Sequence, residues 1–205
     1  MNVADDVLAL LNTRRGHFLL ESGHHGDLWL DLELLCHKPR LLEPLIVELA
    51  KRLSDLQIEH ICGPMVEGAF VGLMVASTLG MPFSYSERYQ QRTDSGLFPI
   101  GYRIPKALRA SVCQKRVAIV NDVINAGSAV RGTLEDLEKC GAQVVAIGSL
   151  LVLGTAAEEF AWEKRVTLKS LATVPNNLWT ESVCPLCGSG VPLEDVAGLR
   201  PRTAE

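Results

Sequence analysis

The sequence lacks the long apolar run that a membrane-spanning helix requires, since no stretch approaches the roughly 18 apolar residues needed to cross a bilayer. Its first residues, MNVADDVLALLNTRRGHF, carry acids where a signal peptide has its basic region, and they lack a long apolar segment. We therefore expect a soluble, cytoplasmic protein with no membrane partner.

Positive charge is also scarce. The 20 Lys and Arg residues are outnumbered by 24 Asp and Glu residues, which gives a net charge of −4. Bulk attraction to nucleic acid is therefore not expected, and only a local basic patch would hold a phosphate. With 205 residues, of which 47% are hydrophobic, the chain is long enough and apolar enough to bury the core of one domain.

The six cysteines are not expected to form a disulfide framework in a cytosolic chain of this size. Cys184 and Cys187 have the CxxC spacing of a metal-binding knuckle, but a second CxxC is missing. Structural cysteines are the favoured interpretation, and a zinc site or a redox pair remains an alternative. We interpret His24 and His25 as exposed turn residues, and the three tryptophans, Trp29 among them, as packing or interface residues.

The middle of the chain alternates between helical and strand patterns, which predicts an α/β fold with a parallel sheet. The ends are less regular and are predicted to pack together as a small cap. The predicted elements are helices at 3–14 (ended by Gly16), 41–55, 68–79, 127–139 and 155–161, strands at 58–62, 82–86, 99–104, 117–121, 144–152 and 165–174, two short strands between 18 and 35, and a polar loop at 87–97.

One segment, VAIVNDVINAGSAV at 117–130, carries chemistry. Asn121 and Asp122 are expected to end a buried strand at the sheet edge where ligands of parallel sheets bind. The small residues that follow allow close backbone approach, and a helix N-terminus favours an anion. A polar pair beside an anion site suits a phosphorylated sugar. The alternative is an ordinary strand-to-helix turn in which Ser128 acts as a cap.

A second strand, turn and helix arrangement begins at Ile61 and reads ICGPMVEGA. Its backbone amides are candidates for binding a second phosphate group. Taken alone, this pattern is equally compatible with an ordinary turn.

Together the two segments resemble the type I phosphoribosyltransferases, and the chain is most similar to the orotate phosphoribosyltransferases among them. The segment 117–130 resembles the phosphoribosyl pyrophosphate signature of that family. The stretch 16–32 is similar to the family's N-terminal hood, 61–88 to its pyrophosphate loop with the next helix and strand, and the tail LWTESVCPLCGSGVPLEDV to the ending of some members.

The resemblance implies a single domain over 1–205, with a hood from about 1–36 and the C-terminal tail and a core from about 37–175. It implies a magnesium-dependent transfer of ribose 5-phosphate from phosphoribosyl pyrophosphate to a nucleobase, with orotate the expected base, and a homodimer. Asp122 with Asn121 would hold the ribose hydroxyls, and Arg88 and Arg92 would meet the pyrophosphate charge. The resemblance further assigns the 5-phosphate to Asn125, Ala126, Gly127, Ser128 and Ala129, and the pyrophosphate loop to Met65, Val66, Glu67 and Gly68.

Several residues depart from the family pattern. Asn121 replaces the first acidic residue of the usual pair. Glu67 stands where some members have a basic residue, and Asn125 stands where a threonine is usual. The segment 87–97 lacks the family's Lys and His, and 148–154 lacks an arginine found near the orotate carboxylate in many members. The alternative function is therefore a phosphoribosyltransferase-like binding or regulatory protein with weak or no turnover, or a transferase for a different base.

Overall fold

The structure is a computed structural model, and it describes residues 3–20, 23–32, 35–90 and 100–196. Two sheets and their helices make up these ranges. Strands are β1 (Asn12–Leu19), β2 (His25–Asp31), β3 (His60–Pro64), β4 (Phe83–Gln90), β5 (Ile100–Arg103), β6 (Arg116–Ile124), β7 (Gln143–Leu153), β8 (Thr167–Val174), β9 (Leu178–Trp179) and β10 (Glu194–Asp195). Helices are α1 (Val3–Leu10), α2 (Pro39–Leu53), α3 (Glu67–Leu79), α4 (Arg109–Val112), α5 (Ser128–Lys139), α6 (Ala156–Lys164) and α7 (Pro185–Gly188), with 3-10 helices at Leu35–His37, Ser54–Leu56, Lys106–Leu108 and Glu181–Val183.

The larger sheet has six strands in the order β5-β4-β3-β6-β7-β8. All neighbours in it are parallel except the β4–β5 pair. Helices separate most of its strands along the chain, as parallel connections require. The predicted α/β fold with a largely parallel sheet is therefore confirmed.

Helices cover both faces of this sheet, and the side chains of β6 pack against the helices on both sides. Its side chains alternate between faces, as the strand period of two requires. Ala118 and Val120 belong to the apolar cluster that contains α2 and α3, whereas Val117 and Ile119 belong to the cluster that contains α5 and α6. Because both faces are buried, β6 reads as a continuous apolar run.

The smaller sheet joins the two ends of the chain in the order β10-β1-β2-β9. Strands β1 and β2 pair antiparallel, and the C-terminal strands β9 and β10 add to its two edges. We call this four-stranded sheet the hood. Among the described residues, no helix combines the length and apolar character that crossing a bilayer requires.

Several predicted boundaries are wrong. The first helix ends at Leu10, and Gly16 lies inside β1 because pairing with β2 outweighs the local helical pattern. Strand β4 continues to Gln90, because its second half pairs with β5, so the first residues of the predicted loop 87–97 form a strand. The remainder of that loop, 91–97, lies outside the described residues.

Candidate active site

A cleft of about 330 Å³ opens at the carboxyl ends of β3 and β6. These two strands are parallel neighbours, so the turns that follow them emerge at the same edge of the sheet. Residues of the hood form the opposite wall. The cleft therefore lies where the core and the two chain ends meet.

Most of the predicted site residues line this single cleft. The β6–α5 turn and the β3–α3 turn, which are 57 residues apart at Asp122 and Met65, are brought together by strand pairing. Their individual roles in binding remain predictions. The lining residues from the two turns are Asn121, Asp122, Asn125, Ala126, Gly127, Ser128, Ala129, Met65, Val66, Glu67 and Gly68.

The two predicted arginines are placed differently. Arg88 lies in β4 opposite Tyr102 of β5, is exposed, and is not part of the cleft lining. Arg92 lies outside the described residues. Neither arginine is therefore placed in the cleft, and their predicted role stays a prediction.

Asn121 and Asp122 do not end their strand, which corrects the sequence prediction. Strand β6 continues to Ile124 because β7 pairs with it as far as Val152. Both polar side chains are consequently buried, with Asn121 8% and Asp122 4% exposed. Burial makes their hydrogen-bond partners decisive, since an unpaired polar group inside a protein is costly.

The side chain of Asn121 is held by the backbone. Its Nδ2 donates to the carbonyl of Val123 at 2.9 Å. Its Oδ1 faces Gly68 so closely that a Cβ at position 68 would lie 2.0 Å from it. Glycine at 68 thus allows the start of α3 to pack against this amide.

Asp122 has a buried carboxylate oxygen without a partner. Its Oδ2 has no hydrogen-bond partner among the described residues. Burial raises the pKa of Asp122 to about 7, and the negative charge of Glu67 adds to the increase, while backbone N–H groups at 122 and 123 oppose it. Asp122 also lines the cleft, so its carboxyl group is a candidate acceptor for a hydroxyl group of a bound ligand.

The β6–α5 turn presents a helix N-terminus to the cleft. Gly127 occupies the N-cap position with φ of +80°, a conformation that favours glycine. Since glycine has no side chain, no side-chain cap occupies the first N–H groups of α5, and these groups attract anions. Asn125 is anchored from outside the turn, because Asn176 Nδ2 donates to its Oδ1 at 3.0 Å.

The β3–α3 turn forms the neighbouring wall. Met65 and Val66 are exposed there, and the peptide bond between them is cis. The N–H of Met65 donates to the carbonyl of Ser86 in β4 at 2.9 Å, which ties the turn to the sheet. Glu67 begins α3 and lines the cleft, so its negative charge disfavours an anion near this helix N-terminus.

The described lining of the cleft is acidic. It contains the carboxyl groups of Asp122 and Glu67, and among the described residues it contains no Lys, Arg or His. Two close carboxyl groups disfavour each other's ionisation unless a cation is near. An anionic ligand in this cleft therefore needs cations from a metal ion or from outside the described lining.

The hood contributes lining residues that sequence reasoning missed. Leu20, Leu28, Trp29 and Leu30 face the cleft from β1, β2 and their connection. The sequence pattern around Trp29 indicates a strand and predicts a packing or interface residue. The cleft wall arises from pairing between the two chain ends, which no local signal encodes.

The histidine prediction needs a correction as well. His25 is not an exposed turn residue: it is 2% exposed and begins β2. Cys184 is buried and Cys187 is exposed, and all six cysteines are free thiols. The side chain of Cys187 approaches His25, with 3.2 Å between Sγ and Nδ1.

Relatives of the chain agree in name. It is 30% identical over 190 residues to an orotate phosphoribosyltransferase of Helicobacter pylori, a match that covers 87% of this chain and 90% of that protein. No protein-family model matches the chain.

Solved structures share the fold. The orotate phosphoribosyltransferase of Aeropyrum pernix superposes with a TM-score of 0.61 at 23% identity, covering 84% of this chain and 93% of that one. The adenine phosphoribosyltransferase of Thermoanaerobacter pseudethanolicus superposes with a TM-score of 0.64 at 18% identity, covering 83% and 99%. The same fold therefore occurs in proteins named for different bases.

Proposed function

Because this chain belongs to the orotate phosphoribosyltransferase family, we propose that it transfers ribose 5-phosphate from phosphoribosyl pyrophosphate to orotate, in pyrimidine nucleotide biosynthesis. One observation of the structure supports this most directly. Asp122, whose buried Oδ2 has no partner among the described residues, and the uncapped start of α5 line the same cleft. A carboxylate can accept hydrogen bonds from sugar hydroxyls, and neighbouring backbone amides can donate to a phosphate. This combination suits a phosphorylated sugar.

In the proposed reaction, a ring nitrogen of the base forms a bond to the anomeric carbon while the bond from that carbon to pyrophosphate breaks, and the N–H proton of the base passes to water. The electron pair of the broken bond leaves with pyrophosphate. Asp122 accepts hydrogen bonds from the ribose hydroxyls, and the first N–H groups of α5 hold the 5-phosphate. The hood residues Leu28 and Trp29 keep water from the anomeric carbon, where it would compete with the base.

We also propose that the reaction requires Mg²⁺. The support is electrostatic, because the described cleft lining carries two carboxyl groups and no cationic side chain, whereas the substrate is a polyanion. Mg²⁺ prefers oxygen ligands and keeps several waters, so the substrate oxygens would hold it and its waters would meet Asp122, with no direct protein ligand. When bound, the ion would neutralise the charge that develops on pyrophosphate.

Arg88 and Arg92 are the side chains proposed to meet the pyrophosphate charge. Arg88 lies in the second half of β4, which leads into the segment 91–99 that contains Arg92. Arg88 lies two residues after Ser86, which pairs with Pro64 of the cleft lining, so Arg88 lies beyond the carboxyl end of β3, where the cleft opens.

A homodimer is proposed from an exposed apolar face of α3. Val66, Phe70 and Leu73 recur at helical spacing and are 50%, 46% and 51% exposed. Apolar side chains grouped in this way are typical of an interaction surface. The lack of a disulfide among the six cysteines, all of which lie in the described residues, further supports a reducing compartment, the cytoplasm.

The decisive experiment follows release of pyrophosphate from phosphoribosyl pyrophosphate, with orotate, uracil or adenine as the second substrate and with or without Mg²⁺. We expect release with orotate but not with the other two bases, and only when Mg²⁺ is present. The Asp122→Asn variant should show no release. Release with another base would identify a different transferase. Tight binding of phosphoribosyl pyrophosphate without pyrophosphate release on any base would favour the regulatory alternative. Glu67 in the cleft lining is the structural feature that supports this alternative, because its negative charge disfavours a pyrophosphate there.

A further inference from the structure

Four potential metal ligands meet in the hood, away from the cleft lining. They are His17, His25, Cys184 and Cys187, and one ligand atom from each lies within 4.8 Å of the others. Three of the four residues are buried, with exposures of 3% for His17, 2% for His25 and 5% for Cys184. Buried polar groups require partners, and one cation would serve all four.

The distances between these atoms fit a tetrahedral zinc site. His17 Nε2 lies 3.0 Å from His25 Nδ1, 3.4 Å from Cys184 Sγ and 3.7 Å from Cys187 Sγ, and His25 Nδ1 lies 3.2 Å from Cys187 Sγ. Zinc bonds to nitrogen and sulfur at tetrahedral angles separate two nitrogens by about 3.3 Å and a nitrogen from a sulfur by about 3.6 Å. The four side chains are therefore close to the corners such an ion requires.

The tautomer of His17 also fits a ligand. Its Nδ1 lies 2.8 Å from the carbonyl oxygen of Val191, so this nitrogen carries the proton and donates it. A neutral imidazole has one N–H, which leaves Nε2 with a lone pair directed at the other three residues. A backbone carbonyl that holds the second ring nitrogen is the usual support of a metal-binding histidine.

The backbone explains why these residues meet. Cys184 is the N-cap of α7 and Cys187 lies within its single turn, so the spacing of three positions places both thiols on one side. His17 lies at an irregularity in the β1–β2 pairing, where the register shifts between Arg15 and Phe18. Such bulges redirect a side chain, and here it is directed toward the C-terminal segment.

We propose that His17, His25, Cys184 and Cys187 bind one structural zinc ion. Two thiolates and two imidazoles are a ligand set that zinc prefers, and four protein ligands leave no open position for a substrate. The ion joins the β1–β2 hairpin to the C-terminal segment. It thereby stabilises the hood, which carries Trp29 and Leu28 to the cleft.

The first test is metal content. The full-length protein, purified without chelators or a histidine tag, should contain about one zinc per chain. X-ray absorption at the zinc edge should show two sulfur and two nitrogen neighbours. Removing the zinc with a chelator should lower the melting temperature, and adding zinc back should restore it.

Variants identify the ligands. Cys187→Ser and His25→Ala should lose zinc, with affinity lower by about 10-fold or more. Cys113→Ser, an exposed thiol outside the cluster, and His24→Ala, the neighbour of His25, should keep it. If Cys187→Ser does not fold, Cys187→His restores a ligand and should show one sulfur and three nitrogens by X-ray absorption.

The proposal is wrong if the protein contains no zinc and takes up none when zinc is supplied to the reduced protein. Zinc that remains fully bound in both Cys187→Ser and His25→Ala would also refute it. A Cys184–Cys187 disulfide, detected by a mass lower by two hydrogens in a zinc-free protein, would replace it with the redox interpretation. None of these outcomes depends on the transferase activity.

Discussion

At the scale of single residues, the buried carboxyl group of Asp122 dominates the cleft. Its Oδ2 has no partner among the described residues, so the free protein bears a desolvation cost that a ligand can relieve. Asp122→Asn should therefore weaken binding of phosphoribosyl pyrophosphate with Mg²⁺ by at least about tenfold. Calorimetry at pH 8 measures the affinity.

The matched control for this substitution is Asp55→Asn. Asp55 is an exposed carboxylate in the 3-10 helix that precedes β3, at the opposite edge of the sheet from the cleft. Its replacement should leave the affinity unchanged. Equal affinity of wild type and Asp122→Asn, with both folded, would remove Asp122 from the binding site.

The same residue predicts a dependence of stability on pH. Burial raises the pKa of Asp122 to about 7 in the folded state, whereas an unfolded Asp titrates near about 3.9. Between these values the folded state binds more protons, so this group's contribution to stability falls as the pH rises from about 4 to 7. Asp122→Asn should lose less stability than wild type between pH 5 and 8 in urea denaturation. Parallel curves for the two proteins would contradict the raised pKa.

Asn121 invites the opposite substitution, since an aspartate there would restore the acidic pair of the family. The structure argues against a gain, because Asn121→Asp replaces the amide that donates to Val123 with a carboxylate facing that carbonyl. It would also add a charge beside Asp122 and Glu67. We expect a loss of about 1–3 kcal/mol in the free energy of unfolding and no faster turnover. An Asn121→Asp variant that is stable and releases pyrophosphate faster would contradict this prediction and show that Asn121 limits turnover.

At the scale of elements, the contact between α3 and β6 requires glycine at position 68, because a side chain there would clash with Asn121. A Cβ on Gly68 would lie 2.0 Å from Asn121 Oδ1, so Gly68→Ala should displace the start of α3 or the amide, and lower stability and ligand affinity together. The cause is tested by a double-mutant cycle, because Gly68→Ala should cost clearly less in an Asn121→Ala background. Equal costs in both backgrounds would place the clash elsewhere.

At the scale of the whole molecule, the exposed apolar face of α3 determines the expected assembly. Leu73→Glu places a charge among apolar side chains and should shift the protein from dimer to monomer in light scattering after size exclusion. Trp162→Glu is the control, since Trp162 is 87% exposed on α6, which packs against the other face of the sheet. A dimer that persists in Leu73→Glu would exclude this face as the interface.

Local patterns in the sequence predict most of the core helices and strands and the two turns that line the cleft. Apolar periodicity along 41–55 and 68–79 and the continuous run before Asn121 predict helices and a buried strand, because burial of each element follows its own repeat. The residue types at 121–129 and 65–68 indicate a polar pair and close backbone approach, since these properties belong to the residues themselves.

Which distant residues meet follows from the tertiary structure and not from local patterns. Strand pairing extends β6 past Asp122 and buries its carboxyl group, and the pairing of β1 with β2 converts the predicted end of a helix into a strand. His17 and Cys187 are brought together by the joining of the two chain ends, although neither carries a local signal for the other. The last of these contacts joins residues 170 positions apart. All three depend on which segments pair, and a local pattern cannot encode that choice.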